Sequence, residues 1–175
     1  MTDNGRLSII FLLNLALYFI AGELNVFASN WAIHFHIDAL LVIFFGIYLN
    51  RSSSVILVAL MGLLADSVHP APMGTYFAGY LFLWLFFVWF QRRLQRHNQS
   101  HIRSAAAAGQ ALYIICLSVL LSKGQFTHLL YWNRVLTDLL LSTLLVFLLS
   151  WPWCQFLKRM LHTLGWNIEA QMSPR

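Results

Sequence analysis

From Ser54 to Phe90 the chain reads SVILVALMGLLADSVHPAPMGTYFAGYLFLWLFFVWF, two apolar runs joined by a short polar elbow that holds Asp66, His69, Pro70, Pro72 and Gly74. Each run is nearly pure hydrocarbon and aromatic, so both belong in a lipid or protein interior. The elbow concentrates a carboxylate, an imidazole and two prolines at their junction. The remaining chain has the same character: of 175 residues, 59% are hydrophobic and only 10% charged, with mean hydropathy +0.68. A soluble domain is typically about a quarter charged. An all-α, polytopic membrane protein is expected. No stretch between the apolar blocks is long enough for a separate globular domain, so residues 1–175 are read as one transmembrane domain.

Six apolar segments can be marked: Leu7 to Leu24, Ile37 to Leu49, Val55 to Val68, Gly74 to Phe90, Ala105 to Leu121 and Leu136 to Trp151. A helix needs about 20 residues to cross the hydrocarbon core, so the second and third are short. Asn50, Arg51 and three serines join them, which predicts an antiparallel hairpin packed within the protein, with a re-entrant pair as the alternative. The formal net charge is +5 and the sequence pI about 9.6. With six spans and a cytoplasmic N-terminus, Arg6, Arg51, Arg92, Arg93, Arg96, Arg103, Lys158, Arg159 and Arg175 lie inside. Only Lys123 and Arg134 lie outside, as the positive-inside rule requires. Six transmembrane helices with short loops and both termini cytoplasmic are the expectation. The flank of the first segment, with Asp3 and Arg6, is not net basic and more spans follow, so it reads as a retained helix rather than a cleaved leader.

The loop Gln91 to Arg103 is read as a solvated anchor for orientation, not a nucleic-acid reader. Ala105 to Ala108, Gly109 and Ala111 follow it, and small residues on a membrane helix let a second backbone approach closely. In the tail, Trp153, Phe156, Leu157, Met160, Leu161 and Leu164 repeat at three-and-four spacing, with Trp151, Trp153 and Trp166 as interfacial anchors. Residues 153–166 are therefore expected to form an amphipathic helix on the cytoplasmic membrane surface. Cys116 and Cys154 form no CxxC motif and read as small buried or interfacial thiols.

Charge within a span costs roughly 2.5 to 3.5 kcal/mol at a helix centre on insertion scales, so each such residue needs a reason. Asp38, Asp66 and Asp138 all fall toward the outer ends of their segments. Arg134 stands at i, i+4 spacing before Asp138, which predicts a structural ion pair. His34, His36 and Asp38 resemble a zinc ligand set, but in a helix only His34 and Asp38 share a face, and further ligands would have to come from His69 or His128. Interfacial hydrogen bonding is the preferred reading; no metal or other cofactor is expected. There is no GxSxG, no HExxH, no glycine-rich phosphate loop and no close carboxylate pair, so no enzyme is expected. At the elbow, Pro70 and Pro72 cannot continue the third helix, and the fourth begins near Met73 or Gly74 with exposed N–H groups. Asp66 is expected to accept from those groups or from the Thr75 hydroxyl, an architectural role.

The elbow, Gly62 to Gly74, resembles that of the bacterial rod shape-determining MreD family, which shares a GLxxD element, here Gly62, Leu63, Leu64, Ala65 and Asp66. A Pro-x-Gly turn follows, here Pro72, Met73 and Gly74. Length, six-span layout and small loops agree with that family. The resemblance implies a non-enzymatic inner-membrane scaffold of cell-wall elongation and peptidoglycan synthesis. It would bind a bitopic MreC-like partner, near the RodA glycosyltransferase, a penicillin-binding transpeptidase and MreB filaments. It also implies a fold similar to the substrate-binding subunits of energy-coupling-factor transporters. The alternative is a substrate-binding membrane subunit of a vitamin or metal uptake transporter, with an outward pocket near Asp38, Asp66, His69 and Asp138. Structural or partner-binding candidates are thus Gly62, Asp66, His69, Pro72, Gly74, Asp38, Arg134 and Asp138.

Overall fold

A computed structural model describes residues 3–31, 33–91, 98–122 and 129–165. Among them the protein is all-α, with six α-helices: α1 (Asp3–Ala28), α2 (Asp38–Tyr48), α3 (Arg51–Val68), α4 (Thr75–Gln91), α5 (Gln99–Leu121) and α6 (Leu129–Thr163). A 3-10 turn, Ser29–Trp31, extends α1. Four helical stretches, Gly5–Trp31, Arg51–Val68, Gln99–Leu121 and Leu129–Thr163, are long and apolar enough to cross a membrane, while α2 and α4 are shorter. A multi-pass membrane protein follows from those four.

The bundle is built around α2. Its sequence, DALLVIFFGIY, has no polar face, and every one of its residues is buried; a helix apolar on all sides belongs in a core. It touches each of the other five helices. At 11 residues it is about 16 Å long, half the thickness of a hydrocarbon core. Residues 33–37, which precede it, run into the bundle without helical structure.

The predicted hairpin holds for α2 but differs in its partner. Arg51 and the serines are not a link; they form the first turn of α3, leaving Leu49 and Asn50 as the connection. Nor is α3 enclosed: Ile56, Leu60 and Leu63 stay exposed on one face and Val68 at its end. Its other face meets α4 at Gly62, where an added Cβ would stand 2.9 Å from the Cα of Phe77. The small residues of α5 make an internal contact of the same kind, with a Cβ at Gly109 reaching 2.9 Å from Cζ of Phe87 in α4. Helix α5 starts before the apolar block because the Asn98 side chain accepts from the Ser100 N–H at 3.0 Å, capping a polar first turn.

The largest departure is α6. The sixth span and the expected surface helix are one element of 35 residues, about 52 Å long. Pro152 removes one helical N–H, yet the buried stripe of Asp138, Ser142, Val146, Ser150, Cys154, Leu157 and Leu161 continues past it without a break. Packing along that stripe outweighs the proline penalty of about 3 kcal/mol. The helix ends in a turn at Gly165, φ 75°, the left-handed conformation that suits glycine at a C-cap. Trp166 and the last residues lie outside the described residues, as do the loop arginines 92, 93 and 96, Lys123 and His128.

Among the described residues, Arg6 and Lys158 lie at one end of the bundle and the aspartates of α2, α3 and α6 at the other, where Arg134 joins them. At one end Arg6 donates to the Gly165 carbonyl at 3.4 Å, Lys158 lies 4.3 Å from the Tyr48 ring centroid, and Gln91 donates to the Ile47 carbonyl at 2.8 Å. Asp38, Asp66 and Asp138 cluster with His34, His36 and His69 at the other.

Candidate functional site

The non-helical lead-in to α2 brings backbone donors into the bundle, where an unpaired N–H costs about 1–3 kcal/mol. Side chains from three helices satisfy them. The His34 N–H donates to Asp138 Oδ1 at 3.0 Å, and the His36 N–H to Ser142 Oγ at 2.9 Å, both on α6. Asn25 of α1 makes a two-way pair with Phe35, accepting from its N–H at 2.7 Å and donating to its carbonyl at 2.9 Å. The Ala39 N–H donates to Gln110 Oε1 of α5 at 2.9 Å. Irregular backbone inside a bundle is tolerated under this condition. Asn25, Gln110 and Ser142 were missed by motif reasoning; their only signal was polarity inside apolar runs.

Asp38 opens α2 just beyond this lead-in. Tyr80 of α4 donates its hydroxyl to Asp38 Oδ1 at 2.9 Å, and His36 Nδ1 stands 3.7 Å from Oδ2. Tyr80 in turn meets Tyr113 of α5 edge-on, ring centroids 6.2 Å apart. In the non-helical lead-in His34 and His36 fall side by side, with centroids 4.7 Å apart. No three His, Cys, Asp or Glu side chains among the described residues converge to hold a metal ion.

His69, at the end of α3, packs edge-on against Tyr76, centroids 4.5 Å apart. Burial lowers the pKa of His69 and the neighbouring His36 lowers it further, while Asp38 and Asp66 oppose the shift. A histidine with a depressed folded pKa binds fewer protons folded than unfolded below its ordinary value near 6.5, so protonation favours unfolding. Melting temperature in detergent is expected to fall as pH drops through that value and to level off below the folded pKa. A His69→Gln variant is expected to show a flatter pH dependence; an unchanged slope would remove this group as its source.

At the elbow, Asp66 accepts three backbone N–H groups: Gly74 on Oδ2 at 3.0 Å, Tyr76 on Oδ1 at 2.8 Å and Phe77 on Oδ2 at 3.1 Å. The Thr75 hydroxyl is not its partner; it donates to the Pro72 carbonyl at 2.7 Å, which also accepts the Thr75 N–H at 3.1 Å. Gly74 sits at φ 93°, a conformation that strains residues bearing a Cβ. Asp66 thus ties the end of α3 to the start of α4, with its charge toward the positive end of the α4 dipole.

The ion pair expected between Arg134 and Asp138 does not form. Arg134 is exposed and has no ion pair or hydrogen bond among the described residues. Asp138 is 9% exposed and inside α6 rather than at its start. Its carboxylate turns inward because the lead-in needs an acceptor. The structure therefore brings Asp38 and Asp138 to the lead-in and His69 near them, while Gly62, Asp66, Pro72 and Gly74 form the α3–α4 corner.

Two concave features accompany these groups. A cleft of about 320 Å³ lies between the lead-in, α4, α5 and α6, with Asp138, Arg134, His36 and Tyr76 on its wall. A groove of about 540 Å³ runs between α1 and α3 near the basic end, lined by Leu7, Ser8, Phe11, Ser53, Ile56 and Leu60 among others. No protein-family model, curated protein or solved structure matches the chain.

Proposed function

We propose that the protein is a non-enzymatic scaffold of the bacterial inner membrane, working in cell-wall elongation as MreD-like proteins do and docking the transmembrane helix of a bitopic MreC-like partner. The groove between α1 and α3 carries this reading. Helix α1 is the least enclosed of the long helices, with 17% of its apolar window buried, and it stands off α3 to leave a concave track. Ser8 and Ser53 flank that track, small residues of the kind that admit a neighbouring helix closely. On this reading all six helices cross or fill the bilayer, with α2 completed by its lead-in. Both termini lie in the cytoplasm, where Arg6 and Lys158 sit at one end of the bundle. RodA, a penicillin-binding transpeptidase and MreB filaments are the expected neighbours.

Affinity purification from membranes of a rod-shaped host is expected to co-isolate a bitopic protein, and Ser53→Trp, which fills the groove, to reduce its yield about tenfold or more. Depletion is expected to round the cells; rods that keep their shape and wall synthesis would sink the reading. The alternative, a substrate-binding subunit of an uptake transporter, draws on the cleft beside Asp138, and a co-isolated small molecule in place of a bitopic protein would favour it.

A further inference from the structure

The cleft beside α6 holds one cationic and one anionic group that could neutralise each other and do not. Arg134 and Asp138 occupy the i, i+4 positions at which a helix closes an ion pair at little entropic expense. Instead the guanidinium has no partner among the described residues, and the carboxylate receives a single hydrogen bond, from the His34 N–H on Oδ1. Both groups border the same 320 Å³ cleft, which also meets Tyr76 and His36 and is backed by Ile114, Leu117 and Leu121. Its size is that of a small-ligand site, and its wall combines apolar surface with a few placed polar groups.

We infer that this cleft binds a primary-ammonium phosphate zwitterion, the chemistry shared by the phosphatidylethanolamine headgroup and free phosphoethanolamine. Arginine matches a phosphate through its fork of N–H donors. The free oxygen of Asp138 takes the ammonium, whose N–H groups a carboxylate can bond and a quaternary ammonium lacks. One helical turn separates the two side-chain origins by about 6 Å along the axis. That spacing suits charges joined through a two-carbon linker better than those of an α-amino acid, which share one carbon. In the lipid-borne case the glyceryl and upper acyl atoms meet Leu117 and Leu121. The inference does not depend on the scaffold reading.

The full chain, reconstituted in nanodiscs containing phosphatidylethanolamine, phosphatidylcholine and phosphatidylglycerol in equal parts, is examined by native mass spectrometry for retained lipid. Phosphatidylethanolamine is expected to be retained about tenfold over the other two, and Arg134→Gln and Asp138→Asn each to abolish that preference. Asparagine keeps an Oδ1 acceptor for the His34 N–H, so an unchanged melting temperature in that variant separates lost binding from lost folding. If Asp138→Asn does not fold, the exposed Arg134→Gln carries the test alone. In lipid-free detergent, stabilisation by phosphoethanolamine, lost in Arg134→Gln, assigns the site to the soluble compound; retention of the lipid alone assigns it to the headgroup. Equal retention of all three lipids with no response to phosphoethanolamine, or a preference that survives in Arg134→Gln, overturns the inference.

Discussion

Asp66→Ala is expected to lower stability by about 2–4 kcal/mol, measured by unfolding in mixed detergent micelles. The carboxylate accepts from Gly74, Tyr76 and Phe77, so its removal leaves three donors unpaired at once, one just before α4 and two in its first turn. Ordinary helix caps satisfy one, and lose about 0.5–2 kcal/mol on truncation. The three contributions do not add fully, because the elbow is part-exposed and water can reach some of the freed donors. Asp66→Asn is expected to lose less: it keeps an acceptor for Tyr76 but turns an NH₂ toward the Gly74 and Phe77 donors. The effect is structural, so α4 should loosen from α3 and hydrogen exchange at residues 74–77 should rise in step with the destabilisation. Stability equal to wild type in the alanine variant would show that the corner does not rely on this side chain.

The second large effect concerns glycine at a helix crossing. Phe87 of α4 is fully buried in a slot between two glycines. A Cβ on Gly46 of α2 would lie 2.6 Å from Phe87 Cβ, and one on Gly109 of α5 2.9 Å from Phe87 Cζ. The near end of the phenylalanine cannot swing away from Gly46, and its far end is already confined by Gly109. Gly46→Ala is therefore expected to destabilise by about 1–3 kcal/mol, although alanine favours a helix by about 1 kcal/mol over glycine. Gly22→Ala in α1 is the counterpart. Nothing lies within 4 Å of the added methyl, so the helix preference stands alone and a gain of about 0.5–1 kcal/mol is expected. Equal signs for the two substitutions would contradict the close approach of α2 and α4.

Much of the elbow was legible because its chemistry is local. Prolines stop a helix, the next helix presents unpaired N–H groups within a few residues, and a carboxylate stands between; the contacts of Asp66 follow from that order. The inward placement of α2 was legible from its length, since an apolar segment too short to cross the hydrocarbon core packs most readily within the protein. Arg134 and Asp138 were not legible. Their spacing favours a pair, but a stretch about a hundred residues earlier supplies the part-buried His34 N–H, which orients the same carboxylate and would cost more unpaired than an exposed arginine.

The amino-acid sequence by itself determined the class of the protein, the approximate positions of its first five apolar helices and the α3–α4 corner, all of which depend on composition and near neighbours along the chain. The tertiary structure decided what no local pattern contains. It merged the sixth segment and the tail into one α6, because a buried stripe running from Asp138 to Leu161 outweighs a proline. It fed a non-helical lead-in into the core, because Asn25 of α1 and Asp138 and Ser142 of α6 supply its hydrogen bonds, while Gln110 of α5 takes the Ala39 N–H at the start of α2. It also left Arg134 and Asp138 facing one cleft instead of each other. Backbone polar groups inside a membrane bundle must find partners wherever the fold puts them, and that search crosses the whole chain.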